Sequence, residues 1–180
     1  MKTFFVAISL LLALSTWGQS PKRAVKKLGD DPVYFIDSIR VGTDELMKHL
    51  PEDIAQVSVY KDSTAIKLVG PEGKDGVVYI QTKVFARSIY WAYFRSKSIE
   101  YAKIALTPQD DSTVQYILNG RVLTTNYEGN LSLIDDSIFR GIQVIDKKTL
   151  QEKYHVQDKS FGVLIESEKP DNLYKARKKF

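Results

Sequence analysis

The chain has 180 residues, of which 43% are hydrophobic and 27% are charged, and this composition is that of an ordinary globular protein. It contains no cysteine, which excludes disulfides and thiol chemistry. The formal net charge is +4, or +3 once residues 1–18 are removed, and so modest a charge does not indicate a nucleic-acid binder.

Residues 1–19 are typical of a secretory signal peptide. Lys2 supplies a positive start, and the apolar stretch after it is short for a membrane span. An uncleaved N-terminal anchor is the alternative. Residues 20–31 are basic and then acidic without apolar periodicity, which predicts a flexible leader. We therefore expect an exported protein of the periplasm, in association with the outer membrane or free of it.

A hairpin and a helix are predicted next. Residues 33–41 favour two strands that turn at Asp37 and Ser38. Thr43 is a good N-cap for a helix that Pro51 stops. The predicted buried stripe of this helix consists of Leu46, Met47 and Leu50.

The stretch at residues 53–83 predicts a strand, a short helix, a turn and a second strand. Alternating apolar residues at 54–60 indicate a strand with one buried face. Asp62 or Ser63 is expected to cap a helix that ends near Val69. Glycines are expected at the turns, because they reach positive φ without a Cβ clash. These turn glycines are Gly70, Gly73 and Gly76.

This series of motifs resembles the plug domain of TonB-dependent outer-membrane receptors, in the form found in SusC-like importers. Those plugs carry a signature close to IDG … DIESIxVLKDASA … YGxxGxxGVIxITTK. The chain has YFIDS at residues 34–38, DIAQVSVYKDSTA at 53–65 and VGPEGKDGVVYIQTK at 69–83. Ser38 stands where the signature has glycine, and Val69 where it has tyrosine. The resemblance implies a plug-like α+β unit over residues 32–83.

A receptor continues into a long β-barrel, and 180 residues leave no room for one, so we expect a plug without a barrel. We recognise no TonB-contacting box near the mature N-terminus, so a role for TonB is left open.

Residues 84–112 are predicted to connect this unit to a second one. The first part, to residue 105, lacks glycine and proline and predicts one helix, and a polar linker completes the connection. The aromatic residues of the helix fall on several faces, so we expect it to pack between two units. The alternative is that Trp91, Tyr93 and Arg95 form an exposed patch for a partner, since these residue types dominate protein–protein hot spots.

A diverged second copy of the unit is predicted at residues 113–169. The sequence YILNGRV at 116–122 mirrors YFIDSIR at 34–40. Asn119 and Gly120 form a strong type I′ turn signal, at the position that Asp37 and Ser38 hold in the first copy.

The end of this copy favours a short helix and a tail. Asp146 is expected to cap a helix that has Leu150 and Tyr154 on one face. Residues 170–180 are predicted to be a solvated basic tail, and contact with an anionic surface is the alternative.

No catalytic set stands out in the sequence. His49 and His155 are each expected at a helix end, where a cation is stabilised. Two acidic pairs lack the alternating oxygens of a calcium loop and are expected to be solvated; they are Asp110-Asp111 and Asp135-Asp136. We therefore predict no catalytic residue, no cofactor and no metal.

The sequence predicts an α+β fold of two tandem plug-like units, which acts as an exported, non-catalytic binding module with another envelope protein as partner. Exposed sheet edges offer one way to recruit a strand of that partner. One alternative is a periplasmic sensor or accessory domain with a small ligand near Trp91. Another is a periplasmic hydrolase of cell-wall or sugar substrates, which requires a pocket of carboxylates with raised pKa. Neither nucleic-acid binding nor a transmembrane segment in the mature chain is expected.

Overall fold

A computed structural model of the chain describes residues 28–46 and 48–169, except for the side chain of Asp111. The predicted signal peptide, most of the predicted leader and the basic tail lie outside these residues. Within them the protein has an α+β fold, with two four-stranded mixed sheets.

The first unit contains one of these sheets, in the order β2-β1-β4-β3. Its strands are β1 (Val33–Ile36), β2 (Ile39–Val41), β3 (Ile54–Tyr60) and β4 (Val77–Thr82), and its helices are α1 (Thr43–Leu46) and α2 (Asp62–Val69). Short 3-10 helices cover Pro51–Asp53 and Gly70–Asp75. β1 runs parallel to β4, while β2 and β3 each pair antiparallel with their neighbour.

The structure divides the predicted connecting helix in two, α3 (Lys83–Lys97) and α4 (Ile99–Ile104). Ser98 lies between them in an extended conformation, and its side chain accepts a hydrogen bond from the backbone N–H of Tyr101. This residue therefore ends one helix and caps the next. The predicted polar linker contains a 3-10 helix, Pro108–Thr113.

The second unit repeats the first. Its elements are β5 (Val114–Leu118), β6 (Arg121–Val122), α5 (Glu128–Ser132), β7 (Phe139–Asp146), α6 (Lys147–Tyr154) and β8 (Phe161–Ser167). The strand order is β6-β5-β8-β7, and β5 runs parallel to β8 as β1 does to β4.

The repeat extends to individual hydrogen bonds. The backbone N–H of Asp37 donates to the carbonyl of Ile80 at 3.0 Å, and that of Asn119 donates to the carbonyl of Ile165 at 2.9 Å. β3 and β7 each carry a register irregularity near their first residues. The prediction of an α+β fold with two similar units is confirmed.

The largest core among the described residues covers one face of the second sheet. α3 and α4 place Tyr90, Phe94 and Tyr101 against Tyr116 of β5, and all four side chains are buried. The hydroxyls of Tyr101 and Tyr116 are hydrogen-bonded at 2.7 Å. The opposite face is covered by Leu150 of α6.

The core of the first unit consists of two smaller clusters. One contains Tyr34, Ile36, Val78 and Ile80, and the other contains Val33, Ala65 and Val77. The second cluster is tight, because a Cβ on Gly73 would lie 2.5 Å from the carbonyl oxygen of Ala65. Glycine is therefore required at that position for the turn to approach α2.

α5 joins the two units. It lies so close to β3 that a Cβ on Gly129 would be 2.5 Å from the carbonyl oxygen of Ala55. A hydrogen bond of 3.3 Å runs from Ser132 Oγ to Gln81 Oε1. These contacts cover the first residues of β3, which is the other edge strand of the first sheet.

Two predictions for helix ends in the first unit are wrong. α1 ends at Leu46, and Leu50, which was predicted to be buried, is 56% exposed. Leu50 is extended because the residue before a proline disfavours the α conformation. Neither Asp62 nor Ser63 is the N-cap of α2, since both lie within the helix. Met47, the third residue of the predicted buried stripe, lies outside the described residues.

Candidate functional site

β2 forms one edge of the first sheet. β2 has three residues, and the side chain of Ile39 at its start is 68% exposed. Proteins usually avoid an exposed apolar side chain on an edge strand, because a strand of another chain can pair with such an edge.

A left-handed turn holds β2 in place. Asp37 and Ser38 have φ of +51° and +71°, as a type I′ hairpin requires. The carboxylate of Asp37 also accepts two hydrogen bonds of 2.7 Å from Thr82, one from its N–H and one from its hydroxyl. The hairpin is thereby fixed to the end of β4, and the edge strand is pre-organised.

The pairing register determines which backbone groups of β2 are free. In the second unit the N–H of Leu123 donates to the carbonyl of Tyr116 at 3.0 Å, at the position that corresponds to Val41 and Tyr34. Hydrogen-bonded and non-bonded pairs alternate in an antiparallel ladder. We therefore infer that Arg40, the middle residue of β2, presents its backbone N–H and C=O to the open side.

An open groove of about 890 Å³ lies beside this strand. Its walls come from the start of β1, from β2 and the loop after it, and from the 3-10 helix that precedes β4. Residues that line it include Asp31, Tyr34, Arg40, Thr43, Glu72, Lys74 and Asp75. We call β2 together with this groove the edge site.

Charged side chains surround the groove. Arg40 Nη1 lies 2.6 Å from Glu72 Oε2, and more than half of each side chain is exposed. Burial raises the pKa of the Tyr34 hydroxyl, and the negative charge of Asp31 raises it further. Tyr34 itself is 6% exposed and packs in the core cluster of the first unit.

The structure places two of the predicted interaction residues together. Trp91 and Arg95 lie one turn apart on α3, with the Arg95 guanidinium carbon 4.9 Å from the centre of the indole ring. Trp91 Nε1 and Arg95 Nη1 donate to the carbonyl of Ala105, at 2.9 and 2.7 Å. Both side chains are partly buried, and both satisfy carbonyls at the end of α4.

Tyr93 lies elsewhere. Its hydroxyl donates to Asp136 Oδ1 at 2.9 Å, and its ring packs edge-on against Phe139 with 5.6 Å between centroids. Burial raises the pKa of this hydroxyl, and the bond to Asp136 raises it further. Trp91, Tyr93 and Arg95 therefore do not share one surface, and a role in partner binding stays a prediction for each.

The predicted turn residues occupy turns. Positive φ values are found at Asp37, Gly70, Gly76, Asn119 and Gly120. The remaining one, Gly73, lies in the 3-10 helix against α2. The backbone N–H of Gly70 donates to the carbonyl of Ile66, so this glycine ends α2 as predicted.

The residues considered for chemistry lie at helix ends, in loops or in the 3-10 helix Pro108–Thr113. His155 ends α6 in a left-handed conformation, and His49 lies in the bend after α1. Asp110 accepts a hydrogen bond from the N–H of Thr107 at 2.7 Å. Asp135 accepts bonds from the N–H and the hydroxyl of Ser137.

The carboxyl groups that show a shifted pKa have it lowered. Hydrogen bonds from Ser137 lower the pKa of Asp135, and those from Lys97 and Tyr93 lower that of Asp136. A general acid needs the opposite shift. Among the described residues, no group of three or more His, Asp or Glu is placed to hold a metal ion. None of the helices in this part of the chain has the length and apolar character that crossing a membrane requires.

The sequence predicts exposed sheet edges in general, but not which edge offers a site. The sequence contained one signal for this edge, because seven acidic residues and only two basic ones lie at residues 28–53.

No protein-family model, no curated protein and no solved structure matches the chain.

Proposed function

We propose that this chain is an exported, non-catalytic binding module of the bacterial envelope, and that it holds an extended segment of another envelope protein at the edge site. The observation that carries the proposal is the open side of β2. The exposed side chain of Ile39 and an open groove occur together there, and the register of β1 and β2 leaves the backbone groups of Arg40 unpaired within the sheet.

Strand addition supplies the physical mechanism. An extended segment that pairs with an edge strand gains main-chain hydrogen bonds, and pockets beside the edge choose among side chains. β2 is short, so the backbone alone offers few bonds. The groove supplies the additional contact that a stable complex needs.

Two sequence features support the cellular setting. The signal-peptide pattern at residues 1–19 favours export, and the resemblance of residues 32–83 to receptor plugs favours a partner in an envelope transport or sensing assembly.

Site-specific photo-crosslinking in intact cells tests the proposal. A photoreactive residue replaces Ile39 in one variant and Ile99 in a second, because these side chains are 68% and 72% exposed and only the first lies at the edge site. We expect one specific envelope protein to be attached from position 39 and not from position 99. Equal attachment from both positions would contradict the proposal.

A pair of substitutions at one residue separates strand pairing from side-chain contact. Arg40→Pro removes the outward N–H at a position where an edge strand tolerates proline. Arg40→Ala keeps that N–H and removes the ion pair with Glu72. We expect the crosslink from position 39 to be lost in the first variant and retained in the second. Retention in both would show that the partner does not pair with β2.

A further inference from the structure

The two units differ in charge as well as in exposure. Residues 28–82 contain ten acidic and five basic side chains, a formal net charge of −5. Residues 113–169 contain eight acidic and seven basic side chains, a net charge of −1. Among the described residues, the acidic excess therefore belongs to the unit that carries the edge site.

The basic groups at the groove are already engaged with carboxylates. Arg40 is paired with Glu72 at 2.6 Å, and Lys74 Nζ lies 4.0 Å from Asp75 Oδ2. Both basic groups at the groove therefore have a carboxylate as neighbour.

Two further carboxylates lie in the groove or beside it. Asp31 lines the groove near Tyr34, and Asp44 comes directly after Thr43, which also lines it. Both aspartates are exposed, and neither takes part in an ion pair among the described residues. Net negative charge at an open docking edge attracts positively charged partners and steers their approach.

We propose, on the basis of the function proposed above, that the occupant of the edge site is an extended segment of the partner protein that carries lysine or arginine. Alternate side chains of an added strand point to opposite faces of the sheet. Those on the groove side can lay their aliphatic stems along the groove wall, with the charged ends near Asp31 and Asp44.

The test uses the purified chain and two synthetic probes of about eight residues, one alternating Val and Lys and the other alternating Val and Glu. Binding is measured by fluorescence anisotropy at about 50 and about 300 mM salt. We expect the Val-Lys probe to bind, to weaken at the higher salt, and to be at least tenfold tighter than the Val-Glu probe.

Matched variants locate the binding. Asp31→Asn combined with Asp44→Asn is expected to weaken the binding of the Val-Lys probe roughly fivefold, since each surface charge pair contributes modestly to the affinity. Glu152→Gln combined with Asp158→Asn removes the same charge from exposed positions of the second unit and is expected to change binding by less than about twofold. Equal effects of the two double variants would overturn the inference.

Three outcomes separate this inference from the proposed function. If Arg40→Pro abolishes the cellular crosslink while the Asp31 and Asp44 changes leave it intact, the partner binds at β2 but these acidic residues do not determine which partner binds. If Arg40→Pro leaves the crosslink intact, the proposed function itself fails. If a peptide of residues 170–180 displaces the Val-Lys probe from the chain better than a scrambled peptide does, the occupant is the basic tail of the chain, and the inference is overturned.

Discussion

The two units have the same strand order but differ in how completely their side chains are covered. Eight large hydrophobic side chains are exposed in the described part of the chain; five lie at residues 28–82 and none at residues 113–169. Three helices cover one face of the second sheet, whereas the first sheet has smaller clusters on both faces. One copy of a duplicated unit can thus supply the stability while the other keeps an accessible edge.

Equivalent residues make the difference concrete. Tyr34 and Tyr116 hold the same position in the two hairpins, but the two residues are 6% and 1% exposed. Ala65 and Leu150 hold the same position in the helices that come after β3 and β7, and both are fully buried. At the helix position, the second unit buries a leucine where the first unit buries an alanine. At the strand position, the tyrosine of the second unit is less exposed than that of the first.

Replacing the two equivalent tyrosines with alanine should give the largest difference in the free energy of unfolding between the two units. Tyr116→Ala is expected to cost about 3–5 kcal/mol in the free energy of unfolding, because the ring lies 5.5 Å from Tyr90 and 5.8 Å from Tyr127. Tyr34→Ala is expected to cost about 2 kcal/mol. Urea unfolding measures both. A larger loss for Tyr34→Ala would contradict the view that the second unit carries most of the stability.

Much of this architecture could be predicted from the sequence, because turns depend on local chemistry. The Asn119-Gly120 turn and its Asp37-Ser38 counterpart align the two copies. Asp146 caps α6 as predicted, with its carboxylate 2.8 Å from the N–H of Thr149. Gly70 ends α2 for the same kind of reason, since a left-handed residue is needed there.

The edge site could not be located from the sequence because exposure depends on the elements that pack nearby. The alternation of apolar residues around β2 does not show that the side chain of Ile39 is exposed. Helical periodicity could have placed Trp91 and Arg95 on one face and Tyr93 on another. It could not show that the carbonyl of Ala105 returns to Trp91 and Arg95, because α4 folds back after Ser98.

The contact between the units can be tested at Gly129. Gly129→Ala is expected to cost about 1–2 kcal/mol, because the added methyl group would meet the carbonyl of Ala55 at 2.5 Å and the gain in helix propensity offsets only part of that clash. Gly42→Ala is the control, since no heavy atom lies within 4 Å of its added Cβ, and it should change stability by less than about 0.5 kcal/mol. Similar urea midpoints for the two variants would show that α5 does not need its close approach to β3.

Exchange of the turn residues compares the two hairpins directly. Gly120→Ser places a side chain at φ of +77° and is expected to cost about 1 kcal/mol. Ser38→Gly relieves the same strain at +71°, but it loses the hydrogen bond between Ser38 and the Tyr79 hydroxyl. We therefore expect a smaller gain, of about 0.5 kcal/mol, by urea unfolding. A loss of stability in Ser38→Gly would mean that the bond to Tyr79 outweighs the backbone strain.

The smallest expected effect is on the pH dependence of stability. The bond from Lys97 lowers the pKa of Asp136, with help from Tyr93, and the bond from Lys48 lowers that of Glu45. A carboxyl whose pKa is lower in the folded state stabilises it above the unfolded value of about 4, and this contribution disappears as the pH falls through the folded value.

Asp136→Asn should therefore be less stable than the unmodified chain at about pH 6 and equal to it at about pH 2, as measured by urea unfolding at each pH. Glu45→Gln should show the same trend with a smaller amplitude, because Glu45 has Lys48 as its hydrogen-bond partner whereas Asp136 has both Lys97 and Tyr93. A difference between Asp136→Asn and the unmodified chain that persists unchanged at pH 2 would show that the carboxylate charge is not what joins α3 to the loop before β7. That result would place the link in the packing of Tyr93 on Phe139, which neither pH nor the substitution alters.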